Sequence, residues 1–270
     1  MPDPVRDIGI SGAGDTARVM HPWQLVFDPE WAVGLVVIAI DYWLVCVALR
    51  RRSEPVSPLR IAAFSAGLLM IALALFSPIE HLALTSMLSF HLLQNVMLGD
   101  WAPPLLLLGL SAPMVNAVAS RRWIAHVVSP RFALSFWLAT WYVTHIPVVY
   151  DYSLRHGAAL GVEHLAFLLS GLVFWWPEIV PGYLSSIGKV VYLGIAFLAI
   201  SPLDLGIYLA LHPLYDFYLH TAKLSAISTM ADQQIAGVAM AVEANTVLLA
   251  VMALNLFRAL DEETEPSPPV

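Results

Sequence analysis

The residues of this chain best equipped to do chemistry are its nine histidines, and they are unevenly placed. Imidazole is the commonest metal ligand in proteins. Imidazole together with Met thioether suits copper, the thioether favouring Cu(I). Zinc would more often recruit Cys, or His with carboxylate. Met87 and His91 are spaced i, i+4, which puts a thioether and an imidazole on one face of a helix, and Asn95 continues that face one turn on. His212, Asp216 and His220 repeat the four-residue spacing, and Pro213 suits a first helical turn there. A carboxylate between two imidazoles could orient a ring through its second nitrogen. Glu163 precedes His164 near the head of an apolar stretch, where a helix dipole would favour a carboxylate. A plainer reading stands beside each of these. A lone histidine at a helix end is ordinarily interfacial or capping, and the 212–220 stripe could be a solvated amphipathic helix.

Four carboxylates form a second set. Asp41, Asp100, Asp204 and Glu243 fall within long apolar stretches. A carboxylate at membrane depth is costly and usually faces the bundle interior or a wet cavity. It either hydrogen-bonds a neighbouring helix in its protonated form or belongs to a proton or cation path. No basic residue lies near the middle of any apolar stretch, so buried ion pairs are not expected. Other chemistries lack their residues. Cys46 is the single cysteine, so there is no internal disulfide and no CxxC pair. No GxSxG, HExxH or P-loop pattern occurs.

The elements that must position these groups follow from composition. Hydrophobic residues make up 59% of the 270 and charged residues only 12%, against about 25% charged in a soluble domain. Such a chain cannot cover a water-exposed surface. Its net charge of −7 offers no basic patch for nucleic acid. A bilayer core of about 30 Å takes roughly 20 apolar residues as a helix. Seven stretches qualify: 31–49, 61–76, 84–108 with a kink expected at Pro103 and Pro104, 132–149, 158–179, 190–211 and 235–257. The expected fold is an all-α polytopic membrane bundle. Residues 1–28 form an N-terminal tail outside, 29–258 the seven-helix domain, and 259–270 an acidic, Pro-rich cytoplasmic tail expected to be disordered.

Orientation follows from Lys and Arg. With the N-terminus outside, nine of the 13 basic residues fall inside and four (Arg6, Arg18, Arg155 and Lys223) outside. The N-terminus is therefore placed outside and the C-terminus in the cytoplasm. In that frame His21, His81, His91, His145, His156, His164, His212 and His220 all lie toward the outer side, and only His126 lies inside. Trp101, Trp141, Tyr142, Trp175 and Trp176, near span ends, read as interfacial anchors. Ala236, Gly237, Ala241 and Ala244 read as a close helix contact.

Three segments carry a resemblance. They are His91-Leu92-Leu93-Gln94-Asn95 followed by Pro103-Pro104 and the leucine run to Gly109, then His145-Ile146-Pro147-Val148-Val149-Tyr150-Asp151, then Asp232-Gln233-Gln234-Ile235-Ala236-Gly237. With Phe174-Trp175-Trp176-Pro177 beside them, the chain resembles the CtaG family of cytochrome c oxidase assembly factors, the caa3-associated type, from about His81 to the end of the seventh span. The resemblance implies a multi-pass protein of the bacterial inner membrane needed for making active terminal oxidase. Copper insertion is the role usually supposed. Implied partners are oxidase subunits, an extracytoplasmic copper chaperone and the lipid bilayer. Asn95 stands where the family often has a second His, and Asn is a poor ligand for soft copper, which leaves Met87 as a replacement. The positions carried over are His91, His145, His164, Asp232, Gln233 and Gln234. Asp232 also reads more simply as the N-cap of the seventh span.

Four functions compete. The first is an assembly factor that holds or hands over copper, with His81, His91, His145, His164, His212, His220 and Met87 as candidate ligands and Asn95, Asp151 and Asp216 beside them. The second is a metal-free scaffold for a nascent oxidase subunit. The third is a b-type haem protein using His91 and His145. The fourth is a copper or proton transporter using the mid-span carboxylates. None but the haem protein is expected to be an enzyme or electron carrier.

Overall fold

The computed structural model describes residues 24–221 and 227–264; Arg6, Arg18, His21 and Lys223, counted above, lie outside them. Asp28 starts the first helix, α1 (Pro29–Arg51), by accepting from the amides of Glu30 at 2.9 Å and Trp31 at 3.2 Å. Proline at the first helical position, Glu30 in the first turn and Arg50 and Arg51 in the last complete its termini. Ser57 and Pro58 open α2 (Pro58–Phe76) the same way. Ser77-Pro78 breaks that helix and starts α3 (Pro78–Thr85). Then follow α4 (Leu88–Val96), a π-turn (Met97–Trp101), α5 (Ala102–Leu108), α6 (Ala112–Ala119) and α7 (Arg122–Val127). The chain continues as α8 (Pro130–Thr144), α9 (Pro147–Arg155), α10 (Gly157–Ile179), α11 (Ser186–Leu209), a 3-10 turn (Phe217–Leu219) and α12 (Thr229–Thr264).

Five helical spans, one of them α2 with α3, are long and apolar enough to cross a membrane, or up to seven if each of two bent helix pairs counts as one span. The bend in the third span is not at Pro103 and Pro104. There the π-turn precedes the prolines, which sit at the start of α5, so the chain stays helical through them. A π-turn loosens the backbone ladder just where proline lacks an amide and its ring crowds the preceding turn. The sharp turn, 115°, comes after Leu108, before α6. The fourth span ends early. Pro147, unable to continue the amide ladder of α8, turns α9 away by 75°. The last helix runs on to Thr264, so the expected disordered stretch is helical for its first residues, and 265–270 lie outside the described part.

The core joins α4, the π-turn, α8 and α10 through Leu92, Val96, Trp137, Trp141, Phe167 and Phe174. Trp141, Trp175 and Trp176, read as interfacial anchors, are core residues at 2–5% exposure, while Tyr142 is exposed. Trp137 stacks on Phe174 and Trp141 packs edge-on to Phe167, so the indoles fill space between helices that aliphatic side chains would leave open. Gly237 lets α12 approach α11 closely: a Cβ there would stand 2.7 Å from the Tyr208 amide nitrogen. At the end of the bundle away from Pro29, Arg60 donates to the carbonyls of Leu108, at 3.1 Å, and Leu110, closing the last turn of α5.

Candidate functional site

The site is built at the end of the bundle where α1 starts. Its first support is Asp232. That residue does not cap its own helix, since it lies inside the first turn of α12. It reaches across to α4, accepting from the Leu88 amide at 2.6 Å, the Ser89 amide at 3.4 Å and the Ser89 hydroxyl at 2.6 Å. The free amides of a helix start are satisfied by a carboxylate from another helix, a capping role performed on a different element from the one expected. Met87 is the residue just before α4, in extended conformation. The helical face assumed for Met87 and His91 therefore begins only at Leu88.

His91, in the first turns of α4, is fully buried. Its Nε2 is 3.1 Å from Glu163 Oε1 on α10. A carboxylate oxygen accepts, so this nitrogen carries the proton; in the neutral ring Nδ1 then holds the lone pair, and it is buried and without a partner. His145 closes α8. Its Nδ1 is 2.7 Å from the Trp141 carbonyl, which can only accept, so here Nδ1 is protonated and the unpartnered Nε2 holds the lone pair. His164 neighbours Glu163, and its Nε2 is likewise buried without a partner. The Tyr150 ring packs against both His91, at 5.0 Å between centroids, and His145, at 5.8 Å. The His91 and His164 rings are 6.2 Å apart. Among the described residues, no three His, Cys, Asp or Glu side chains come close enough together to hold one metal ion.

A cleft of about 1050 Å³ opens at the same end between the start of α1, α3 and the start of α10. Asp28, Glu30, Trp31, Glu80, His156 and His164 are among its lining residues. Glu80 is buried and takes a short hydrogen bond from Gln94 Nε2, which also donates to the Ala74 carbonyl at 3.0 Å. His164 thus belongs both to the buried histidine group and to a cleft bearing three carboxylates.

The other expected residues are scattered. His81 is buried on α3, with Nδ1 unpartnered. Asn95 is fully buried one turn beyond His91, and neither atom of its amide has a partner. The stripe of His212, Asp216 and His220 does not form as a helix: 210–216 is irregular and only Phe217–Leu219 makes a turn. His212 and His220 are exposed. Asp216 instead binds Arg155 at 2.7 Å and His220 at 3.3 Å, and the guanidinium holds its carboxyl below the usual range. Asp151 accepts from the amides of Asp216 at 3.0 Å and Phe217 at 2.9 Å, so it tethers this connection to α9. Gln233 accepts from the Leu214 amide at 2.7 Å and donates to the carbonyls of Ile207 and His212, while Gln234 is exposed. Both residues of the Asp232-Gln233 pair therefore brace other segments.

Three of the four mid-span carboxylates are shielded. Asp100, on the π-turn, accepts from the Trp137 indole at 3.2 Å. Glu243 accepts from the Trp101 indole, and Asp204 is buried with Oδ1 unpartnered. Asp41 departs from the expectation, since it lies exposed on α1. Sequence reasoning gave Glu163 too little weight, placing it at a helix start. It is the seventh residue of α10, and the same cost argument applied to Asp41 would have flagged a carboxylate that deep.

The histidine group, its Glu163 partner and the Asp232-Gln233 braces all lie within residues 40–262, which match the model of the cytochrome c oxidase caa3 assembly factor family. Neither the curated proteins nor the solved structures give a match. A family model covering this much of the chain shows that it belongs to the cytochrome c oxidase caa3 assembly factor family.

Proposed function

We propose that this assembly factor holds copper and passes it on during oxidase maturation. It does so at the outer face of the bacterial inner membrane, with the α1 start facing outside. One observation carries the reading. His91, His145 and His164 each keep an unpartnered buried ring nitrogen, and in two of them the other nitrogen is fixed by a carboxylate or a carbonyl. That is how metal-ligating histidines are held in proteins, the outer partner setting tautomer and ring direction. Unpaired buried polar atoms are otherwise costly. The pair His91 and His164 offers the low coordination number that Cu(I) accepts. His145 and the Met87 thioether are further donors of suitable softness. Asp28 and Glu30, which line the cleft, raise the local concentration of cations at the approach to His164. Copper in this reading is cargo supplied by an extracytoplasmic chaperone, and an oxidase subunit takes it over.

The test is metal analysis of the purified protein after anaerobic Cu(I) loading, with haem quantified in the same samples. Stoichiometric copper in wild type, lost in His91→Ala, is the expected result. Wild type without copper would remove the copper reading, and haem in wild type would replace it. A second reading, a metal-free scaffold for an oxidase subunit, draws on the finding that the three imidazoles do not converge on a point. It predicts that His91→Ala supports normal oxidase assembly.

A further inference from the structure

The helix α1 is attached to the rest of the bundle along one side only. Tyr42 stacks on Phe64 of α2 with centroids 3.7 Å apart, and its hydroxyl donates to the Gly109 carbonyl at 2.9 Å. The remaining circumference is exposed, including Val37, Ile38, Leu44 and Val45. In the middle of that surface lies Asp41, the thirteenth of 23 residues, exposed and with no partner among the described residues. By the helical rise it sits about 18 Å from Pro29 and about 15 Å from Arg51. Lipid tails can neither solvate a carboxylate nor donate to it, so a carboxylate at this depth belongs against protein or water. The cleft described above does not extend to it, being lined by α1 only as far as Trp31.

We infer that the Asp41 face of α1 is a docking surface for a transmembrane helix of another protein, one that carries a Lys or Arg at mid-depth. Charge decides the occupant. A second copy of this chain, docked face to face, would set Asp41 against Asp41. It also has no basic residue near the middle of any span to offer instead. A foreign helix with a central ammonium or guanidinium supplies the missing donor, and the flanking Val37, Ile38, Leu44 and Val45 supply the apolar contact on either side. This inference stands independently of the copper reading.

The experiment uses the full chain in liposomes, donor-labelled at Arg52→Cys in a Cys46→Ser background. It is titrated with acceptor-labelled Leu/Ala transmembrane peptides matched in length to α1, with either Lys or Leu at the centre. Energy transfer is expected at an about tenfold lower peptide-to-lipid ratio for the Lys peptide. Asp41→Asn should abolish the difference, and Asp41→Lys paired with a central-Asp peptide should restore it. Asp41 is exposed and makes no hydrogen bond or ion pair among the described residues, so these variants should melt like the parent. Equal transfer from both peptides overturns the inference. So does self-association of the parent that excludes the Lys peptide and disappears in Asp41→Asn.

Discussion

Replacing Gly171 by alanine is expected to cost the protein about 3 kcal/mol or more, and valine should prevent folding. Gly171 is where α10 crosses the π-turn. A Cβ there would stand 2.1 Å from the Gly99 carbonyl oxygen and 2.6 Å from Cγ of Pro103. Neither neighbour can swing aside, one being backbone and the other a ring fused to it. The helices must separate, and the buried contacts of Leu92, Val96, Phe167 and Phe174 go with them. Glu163 and His164 lie about two turns away on α10, and His91 lies about two turns before the π-turn, so separation also pulls His91 from Glu163. Thermal unfolding in detergent, followed by size-exclusion fluorescence, measures the effect. Gly34→Ala is the control, because a Cβ at Gly34 meets nothing within 4 Å. A Gly171→Ala protein that melts with the parent would refute the crossing described here.

Asp232→Ala should be the next largest, at about 3 kcal/mol. An ordinary N-cap is worth about 1 kcal/mol. Here a carboxylate 5% exposed serves two amides and a hydroxyl. Its removal leaves the Leu88 and Ser89 amides without a partner, each costing roughly 1–3 kcal/mol when buried. Asp232→Asn keeps an acceptor without the charge and should lose about half as much. Ser89→Ala, which removes only the hydroxyl donor, should lose about 1 kcal/mol. Amide hydrogen exchange locates the damage: in Asp232→Ala it should quicken at Leu88 and Ser89 and spread toward His91. Unchanged exchange there, with an unchanged melting temperature, would mean that the cap contributes nothing.

The all-helical, membrane-spanning class was legible because it rests on local hydropathy and length. What lay beyond reach is what depends on neighbours distant in the chain. Composition places Trp141 or Trp175 near the end of an apolar run but cannot say whether it faces lipid or another helix, since both surroundings are apolar. Asp232 was recognisable as a capping residue, yet its partner helix starts 144 residues earlier. The π-turn was hidden because the prolines after it advertise a kink, and the backbone absorbs them instead. The histidines were found individually. Their tautomers were not, because Glu163 lies 72 residues from His91 and the Trp141 carbonyl is a backbone atom that no residue pattern reveals. The stripe of His212 and His220 failed because Asp151, across the bundle end, and Gln233 claim the backbone amides of that connection, holding it in an irregular path.

The distance along the chain between Asp232 and the helix it caps has a consequence for biosynthesis. Translation adds about 5–20 residues per second, so a gap of 144 residues corresponds to roughly seven to thirty seconds. During that interval α4 can be inserted while its first amides remain open, and the neighbouring Gln233 has not yet fastened the 207–214 connection. Two adjacent side chains on the last helix thus complete both segments in a single event. A ribosome-arrested chain ending before Asp232 would carry His91 on an unfinished helix, so the start of α4 is capped only when α12 arrives.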